Sequence, residues 1–229
     1  MHELQTPERI LATAEEMFAK GGYGAVSLRS ITRASGVNIA AIHYHFGSKL
    51  ELLEQIFQKR CGPMNDERLR MLAECSDGPG RPPLLEQILE AYLRPSLIWP
   101  GDPDGARRFL ELRAVLRHEQ ETLAGDLIAR HFNDVSRRFA AALRDALPQL
   151  SDEELFWRFH FLLGAQYSAL ANQDRILILS DGRCDPSDVE ASLRHFVPFC
   201  AAVFRSSVPS HDVLRFGSVE QGVTGAGVG

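Results

Sequence analysis

The sequence predicts an all-α protein with a small N-terminal helical domain and a larger C-terminal one. Three observations predict it. Apolar residues recur at three- and four-residue spacing along most of the chain, and no segment sustains the alternation of a strand. Helix-start signals built on Ser, Asn, Thr and Pro punctuate the chain at intervals. The chain has 229 residues, 45% of them apolar, which suits a small domain plus a larger one with substantial cores.

The elements follow in order. Thr6-Pro7 reads as a helix cap and first helical position, Ile10, Ala14, Met17 and Phe18 share a face, and Gly21-Gly22 stop a helix over about 7–20. Ser27 is a good N-cap for a short helix over about 28–34 with Leu28, Ile31 and Ala34 on one face. Gly36 stands where a sharp turn favours positive φ, Val37 plugs the crevice, and Asn38 caps a third helix to about 44 with Ile39 and Ile42 inward. Ser48-Lys49-Leu50-Glu51 has the form of a capping box and opens a helix to about 60, with Leu50, Leu53, Ile56 and Phe57 packing back on the small domain. Gly62-Pro63 predicts a break or kink, with further helix over about 64–75. After the loop SDGPGRPP come helices over about 84–97, bent at Pro95, and, past WPGDPDG, over 106–118 and 121–146. A second capping box at Ser151–Glu154 opens a helix to about 172, and a last one spans about 187–206. Residues 208–229 are glycine-rich and without pattern, and are read as a disordered tail. The domains are thus expected at 1–48 and 49–207.

Residues 27–53 carry the most functional information. A short helix with one apolar face and an outer face of small and hydrogen-bonding side chains suits the DNA major groove. Ala40, Ala41, His43, Tyr44 and His45 form that outer set. The alanines permit close approach or contact with a thymine methyl, and the histidines can donate or accept. Gly36-Val37, Ile42 through Lys49 and Leu52-Leu53 resemble the signature of the tetracycline-repressor (TetR) family, with the likeness extending back to about Pro7. That family usually has Tyr at the position of His43. The resemblance implies a helix-turn-helix domain and makes Tyr44 and Lys49 phosphate contacts. Ser27, Arg29, Arg33 and Asn38 complete the DNA-facing set, Ser27 and Asn38 also serving as caps. One such domain covers few base pairs, so a homodimer on pseudo-palindromic double-stranded DNA is expected.

Composition narrows the classes. The net charge is −5, yet residues 1–50 are +1 and the remainder is −6. Bulk charge therefore does not explain nucleic-acid affinity, and broad coating of DNA is disfavoured. No apolar run reaches the ~20 residues of a membrane span, and MHELQTPERI lacks the pattern of a signal peptide, so a cytoplasmic protein without membrane contact is expected. Cys61, Cys75, Cys184 and Cys200 match no zinc or thioredoxin spacing and are read as free, mostly buried thiols. His43 and His45 point opposite ways on a helix and make no metal pair. No nucleophile motif or glycine-rich phosphate loop is present, so neither an enzyme nor a cofactor is expected.

The C-terminal helices are expected to dimerise and to bind a ligand, as the resemblance implies. The 151–172 helix is apolar around most of its circumference, as is a helix buried on more than one side. Phe161, Gly164, Ala165 and Ser168, with Phe196, Phe199, Cys200 and Val203 of the last helix, are candidates for the dimer seam; ordinary core packing weighs equally for each. Trp99, Phe109, Leu112, Leu116, Phe132, Phe139 and Trp157, with Arg113 or His160 as polar anchors, are candidates for a pocket, though core packing is the more frequent role for each apolar residue and a solvated face for Arg113. The wording NIAAIHYHFGSK with Pro83–Leu89 resembles a subgroup related to the fatty-acid-responsive regulator PsrA, which implies a fatty acid or acyl-CoA effector. The expected function is a ligand-responsive, sequence-specific repressor. The alternatives are a constitutive DNA-binding regulator, or a helical ligand-binding protein or enzyme.

Overall fold

The computed structural model describes residues 6–75, 84–98 and 103–207. Ten α-helices run through them: α1 (Thr6–Gly21), α2 (Leu28–Ser35), α3 (Ile39–Phe46), α4 (Lys49–Glu74), α5 (Leu85–Ile98), α6 (Pro103–Glu119), α7 (Glu121–Ala146), α8 (Asp152–Ala171), α9 (Gln173–Leu179) and α10 (Val189–Arg205). No strand occurs among the described residues. The loops SDGPGRPP and Trp99–Asp102, and the tail from 208, lie outside the described residues, as does Trp99 as a pocket candidate.

The local signals act as their chemistry requires. Ser48 Oγ accepts from Glu51 N at 3.1 Å while Glu51 Oε2 accepts from Ser48 N at 2.7 Å, a closed capping box. Ser151 and Glu154 form another at the start of α8. Three expectations are corrected. Helix α4 does not break at Gly62-Pro63: it is one helix of 26 residues with Pro63 inside it. Proline removes one backbone donor, and packing of both flanking segments on different neighbours keeps the helix going past it. Ile39 and Leu50 stay 40% and 39% exposed, and Leu52 fills the core position beside Leu53. On α2 it is Thr32 and Ser35, not Ala34, that turn inward; their hydroxyls donate to Arg29 O and Ile31 O at 2.8 and 2.7 Å, which makes burial acceptable. Helix α9 also arises where no helix was expected.

Two apolar cores form. The first gathers Ile10, Phe18, Ile31, Ile42, Phe46, Leu53 and Phe57 with Phe109, Leu112, Leu116 and Leu127 of α6 and α7. The second joins α5, the later half of α7, α8 and α10 around Leu89, Tyr92, Phe139, Leu143, Phe159 and Phe204. A boundary at residue 48 therefore describes the chain order but does not insulate the cores: α6 and α7 seal the small domain from below. Helix α4 serves both cores. Its N-terminal half is fixed by a buried bidentate pair, Arg60 Nε and Nη2 donating to Glu15 Oε1 and Oε2 at 2.6 and 2.5 Å, with both side chains less than 9% exposed.

Leaving one member of a buried pair alone costs about 3–5 kcal/mol, whereas replacing both by apolar residues is near neutral. Glu15→Ala should lose about 3 kcal/mol in urea unfolding, and Glu15→Leu with Arg60→Met should recover most of it. An undiminished double-mutant loss would show that stranding of the Arg60 charge is not what destabilises the single variant.

Candidate nucleic-acid interface

The reading head is built by caps on both sides of one turn. Ser27 Oγ accepts from Ser30 N at 3.1 Å and starts α2. Gly36 ends it at φ 67°, a left-handed conformation in which its N–H bonds Thr32 O. Asn38 Oδ1 then accepts from Ala41 N at 2.8 Å and starts α3. Ile42 and Phe46 anchor α3 in the core, fully buried and 4% exposed. That anchoring forces the remaining positions outward. Tyr44 is 85% exposed, and Ala40, His43 and His45 are exposed beside it, with Ala41 half-buried. The His43 ring is held, with Nδ1 donating to Gly47 O at 2.9 Å, so Nε2 is left for an outside partner. Tyr44 and His45 meet edge to face at 5.0 Å.

Charge is placed on this face, not spread. Residues 17–50 contain Lys20, Arg29, Arg33 and Lys49 and no Asp or Glu. Arg29 and Arg33 are exposed on α2. Lys49 is turned inward instead: its ammonium donates to Tyr23 O and lies 4.3 Å from the centroid of the Tyr23 ring. Desolvation lowers its pKa, partly opposed by the charge of Glu119. Ser27 and Asn38 have their side-chain oxygens engaged as caps. Of the ten DNA-facing candidates, eight are exposed on or beside α2 and α3, Ala41 is half-buried, and Lys49 is held against the α1–α2 turn.

Sequence reasoning missed the seam beneath the head. Glu119, at the C-terminus of α6, accepts from Gly24 N at 3.2 Å. Its carboxylate comes so near Gly22 that a Cβ there would lie 2.0 Å from Oε1, and Gly22 itself sits at φ 81°. Gly22 is therefore more than a helix stop: it admits a carboxylate from the larger domain. No sequence signal marks this contact, because its partners are 95 residues apart.

In the larger domain the candidates separate. Phe109, Leu112, Leu116 and Phe139 are fully buried and fill the two cores; Phe132 packs at the edge of the first. Trp157 and His160 lie on the outer side of α8, where Trp157 is 56% exposed and stacks on Phe161 at 5.8 Å. Phe161 and Phe199 are 59% and 58% exposed; Gly164 and Ser168 are exposed, Ala165, Phe196 and Val203 half-buried, and Cys200 buried. Glu153, Trp157, Phe161, Val203 and Ser206 border a shallow hollow of about 550 Å³ between α8 and α10. A second hollow, of about 350 Å³, opens between α5, α6 and α8 and is lined by Ser96, Leu97, Leu110, Leu170 and the start of α9. None of the described pocket candidates lines it. Arg113 of α6 is half-buried, its guanidinium 5.5 Å from the Phe132 ring and 5.4 Å from that of Tyr167. Arg68, unremarked in the sequence, is 2% exposed. Its phase with Cys61, Met64 and Leu72 on α4 is the signal that could have found it.

A three-helix head with a capped turn and an anchored outer helix, set on a larger helical domain, defines a helix-turn-helix protein. Comparison with known proteins makes the assignment specific. The profile of the bacterial regulatory proteins of the tetR family matches residues 10–56, and that of the tetracyclin repressor-like C-terminal domain matches residues 90–203. The chain belongs to the tetR family. It is 33% identical over 89 residues to the transcriptional repressor BepR of Brucella suis biovar 1 (strain 1330), covering 39% of this chain and 42% of that one. It is 35% identical over 60 residues to the regulator SrpR of Pseudomonas putida, covering 26% and 28%. The chain thus matches less than half the length of these curated relatives. Among solved structures, a TetR-like regulator from Rhodococcus sp. RHA1 aligns over 90% of this chain and 100% of its own with a TM-score of 0.61 at 15% identity. The fatty acid degradation regulator FadR from Bacillus halodurans aligns over 90% and 98% with a TM-score of 0.58 at 16% identity. At such identities these structures speak for the fold alone.

Two glycines should respond oppositely to alanine. Gly36 needs its left-handed φ, so Gly36→Ala should lose about 1–2 kcal/mol. Gly125 lies within α7 with open space where a Cβ would stand, so Gly125→Ala should gain about 0.5–1 kcal/mol. Thermal unfolding of the two variants checks both signs.

Proposed function

We propose that the protein is a homodimeric transcriptional repressor that binds a pseudo-palindromic operator and is released from it by a small lipophilic molecule. One observation carries the DNA-binding part: the outer face of α3, anchored by Ile42 and Phe46, presents Ala40, His43, Tyr44 and His45 with Arg29 and Arg33 beside it and no carboxylate in residues 17–50. Base edges are read by α3, phosphates are gripped by the arginines and Tyr44, and Lys49 stiffens the head from within. A single head spans too few base pairs, so a second copy supplies the other half-site.

The exposed aromatic face of α8 and α10 supports the dimer. Phe156, Trp157, Phe161 and Phe199 are each more than half exposed in the single chain, and patches of that kind on helical proteins mark association surfaces. The open space over Gly164 permits close approach of a partner helix. A route for control is also at hand. Helix α6 lines the hollow of the larger domain with Arg107 and Leu110, and at its end Glu119 accepts from Gly24 N in the α1–α2 turn. A ligand that shifts α6 would alter the grip on the head. A fatty acid or acyl-CoA is the effector class implied by the sequence resemblance.

Selection of bound DNA from a random pool tests the reading and yields the operator; recovery of no preferred sequence would sink it. On the selected site, Arg29→Ala and Arg33→Ala should each reduce the log–log salt slope by about one, while Tyr44→Phe weakens binding to all sequences. Phe161→Glu combined with Phe199→Glu should yield monomers by light scattering and lower operator affinity by about tenfold or more, since each half-site then binds alone.

A further inference from the structure

The outer face of α3 carries His43, Tyr44 and His45, and the fold fixes the hydrogen-bonding role of the first. His43 is tied to Gly47 twice. Its backbone oxygen accepts from Gly47 N at 3.1 Å, and its ring Nδ1 lies 2.9 Å from Gly47 O. A carbonyl oxygen has no proton to give, so Nδ1 carries the hydrogen of that bond. In a neutral imidazole the other nitrogen is then bare. Nε2 of His43 therefore presents a lone pair, on a side chain that is exposed. It has no partner among the described residues.

The carbonyl that sets this tautomer is itself held. Gly47 sits at φ 71° and ψ −73°, on the side of backbone space that favours glycine. A Cβ there would collide with the carboxylate of Glu51. That carboxylate is fixed in turn, accepting from Ser48 N at 2.7 Å in the capping box that opens α4. Ser48 N also donates to Phe46 O at 2.8 Å, and Phe46, 4% exposed, anchors the end of α3. The direction of the Gly47 carbonyl is thus built into the junction of α3 and α4, and the imidazole follows it.

The neighbouring side chains are not set in this way. Tyr44 and His45 touch edge to face at 5.0 Å, and His45 meets the Phe46 ring at 6.1 Å. These are ring contacts, which leave a hydroxyl free to rotate and an imidazole free to exchange tautomer. Asn38 spends Oδ1 on the cap of α3. Ala40 lies three residues before His43, on the same side of the helix and about 4.5 Å away along the axis. It is exposed and too short to keep a base edge at a distance. His43 stands beside this point of close approach with an acceptor whose role is already decided.

We infer that His43 is a specificity-determining residue whose Nε2 accepts a hydrogen bond from an exocyclic amine in the major groove, adenine N6 or cytosine N4. The amines are the donors of that groove. Guanine N7 and O6, adenine N7 and thymine O4 only accept, and would set lone pair against lone pair. Phosphate oxygens bear no proton and meet the same obstacle, so this side chain reads bases rather than gripping the backbone. The inference rests on reading α3 as the helix that enters the groove, and adds which chemical group one of its residues selects.

The test remakes the selected operator with single groups removed and measures binding of the full-length protein at about pH 8, where free imidazole is neutral. Purine in place of adenine removes N6, pyrimidin-2-one in place of cytosine removes N4, and 7-deazapurines remove N7. At one base pair in each half-site, loss of the amine should weaken the wild type by about three- to tenfold, the range of one hydrogen bond. The two amine-free series tell which base supplies it. His43→Ala and His43→Phe, the latter keeping a ring without a lone pair, should bind natural and amine-free sites equally at that pair; they also control for the weakened base pair. If no amine position loses its effect in both variants, the inference is overturned. A 7-deazapurine effect that vanishes in the His43 variants overturns it too, since Nε2 would then be a donor. Nitrogen NMR of the free protein reads the tautomer directly, and a proton on Nε2 with none on Nδ1 has the same consequence. A protein that selects no operator removes the reading of α3 and this inference with it; an operator without a His43-dependent amine effect removes this inference alone.

Discussion

Helix α4 is one rod that belongs to two cores, and the buried pair between Glu15 and Arg60 sets where the first core grips it. Upstream of that pair, Leu52, Leu53, Ile56 and Phe57 face α1–α3 and the ends of α6 and α7. Downstream, Leu69, Leu72 and Cys75 face α5 and the second core. Because the pair is bidentate and shielded from water, α1 cannot slide along α4 without exposing or stranding a charge. The position of the head on the body follows from that one constraint.

The second coupling is weaker and more exposed. Glu119 reaches from α6 to Gly24 N beside Gly22, whose missing side chain makes the approach possible. Exposed contacts of this kind contribute little to stability. The strong pair fixes the head to α4, and the weak one joins the end of α6 to the α1–α2 turn. Leu110, which lines the smaller hollow, lies on the same helix as Glu119, nine residues away, or about 14 Å along the axis. Events at the hollow and at the α1–α2 turn are therefore events on one rigid element.

Much of the fold was legible in the sequence. The caps at Ser27, Asn38, Ser48 and Ser151 are local chemistry, decided within four residues, and they form as written. The Ile42 and Phe46 pattern likewise determines which side of α3 faces out. The errors arose where local and tertiary preferences differ. Pro63 signals a break in isolation, yet packing on both sides holds α4 together. Ile39 and Leu50 look like core residues by spacing, but the crossing of short helices leaves no neighbour over them. Phe109, Leu116 and Phe139 fill cores, the role the sequence reading gave as the more frequent one for each.

The sequence by itself determined the family, the helical class and the outward side of α3, because these depend on capping, periodicity and one contiguous stretch of about two turns of helix. Only the tertiary structure decided that Lys49 folds back on Tyr23, that Glu119 docks beside Gly22, and that Arg68 lies buried with neutral oxygens as its acceptors. Each of these joins groups far apart in the chain. Whether a charge is partnered depends on which distant atoms share its few ångströms of low-dielectric space, and no local pattern encodes that.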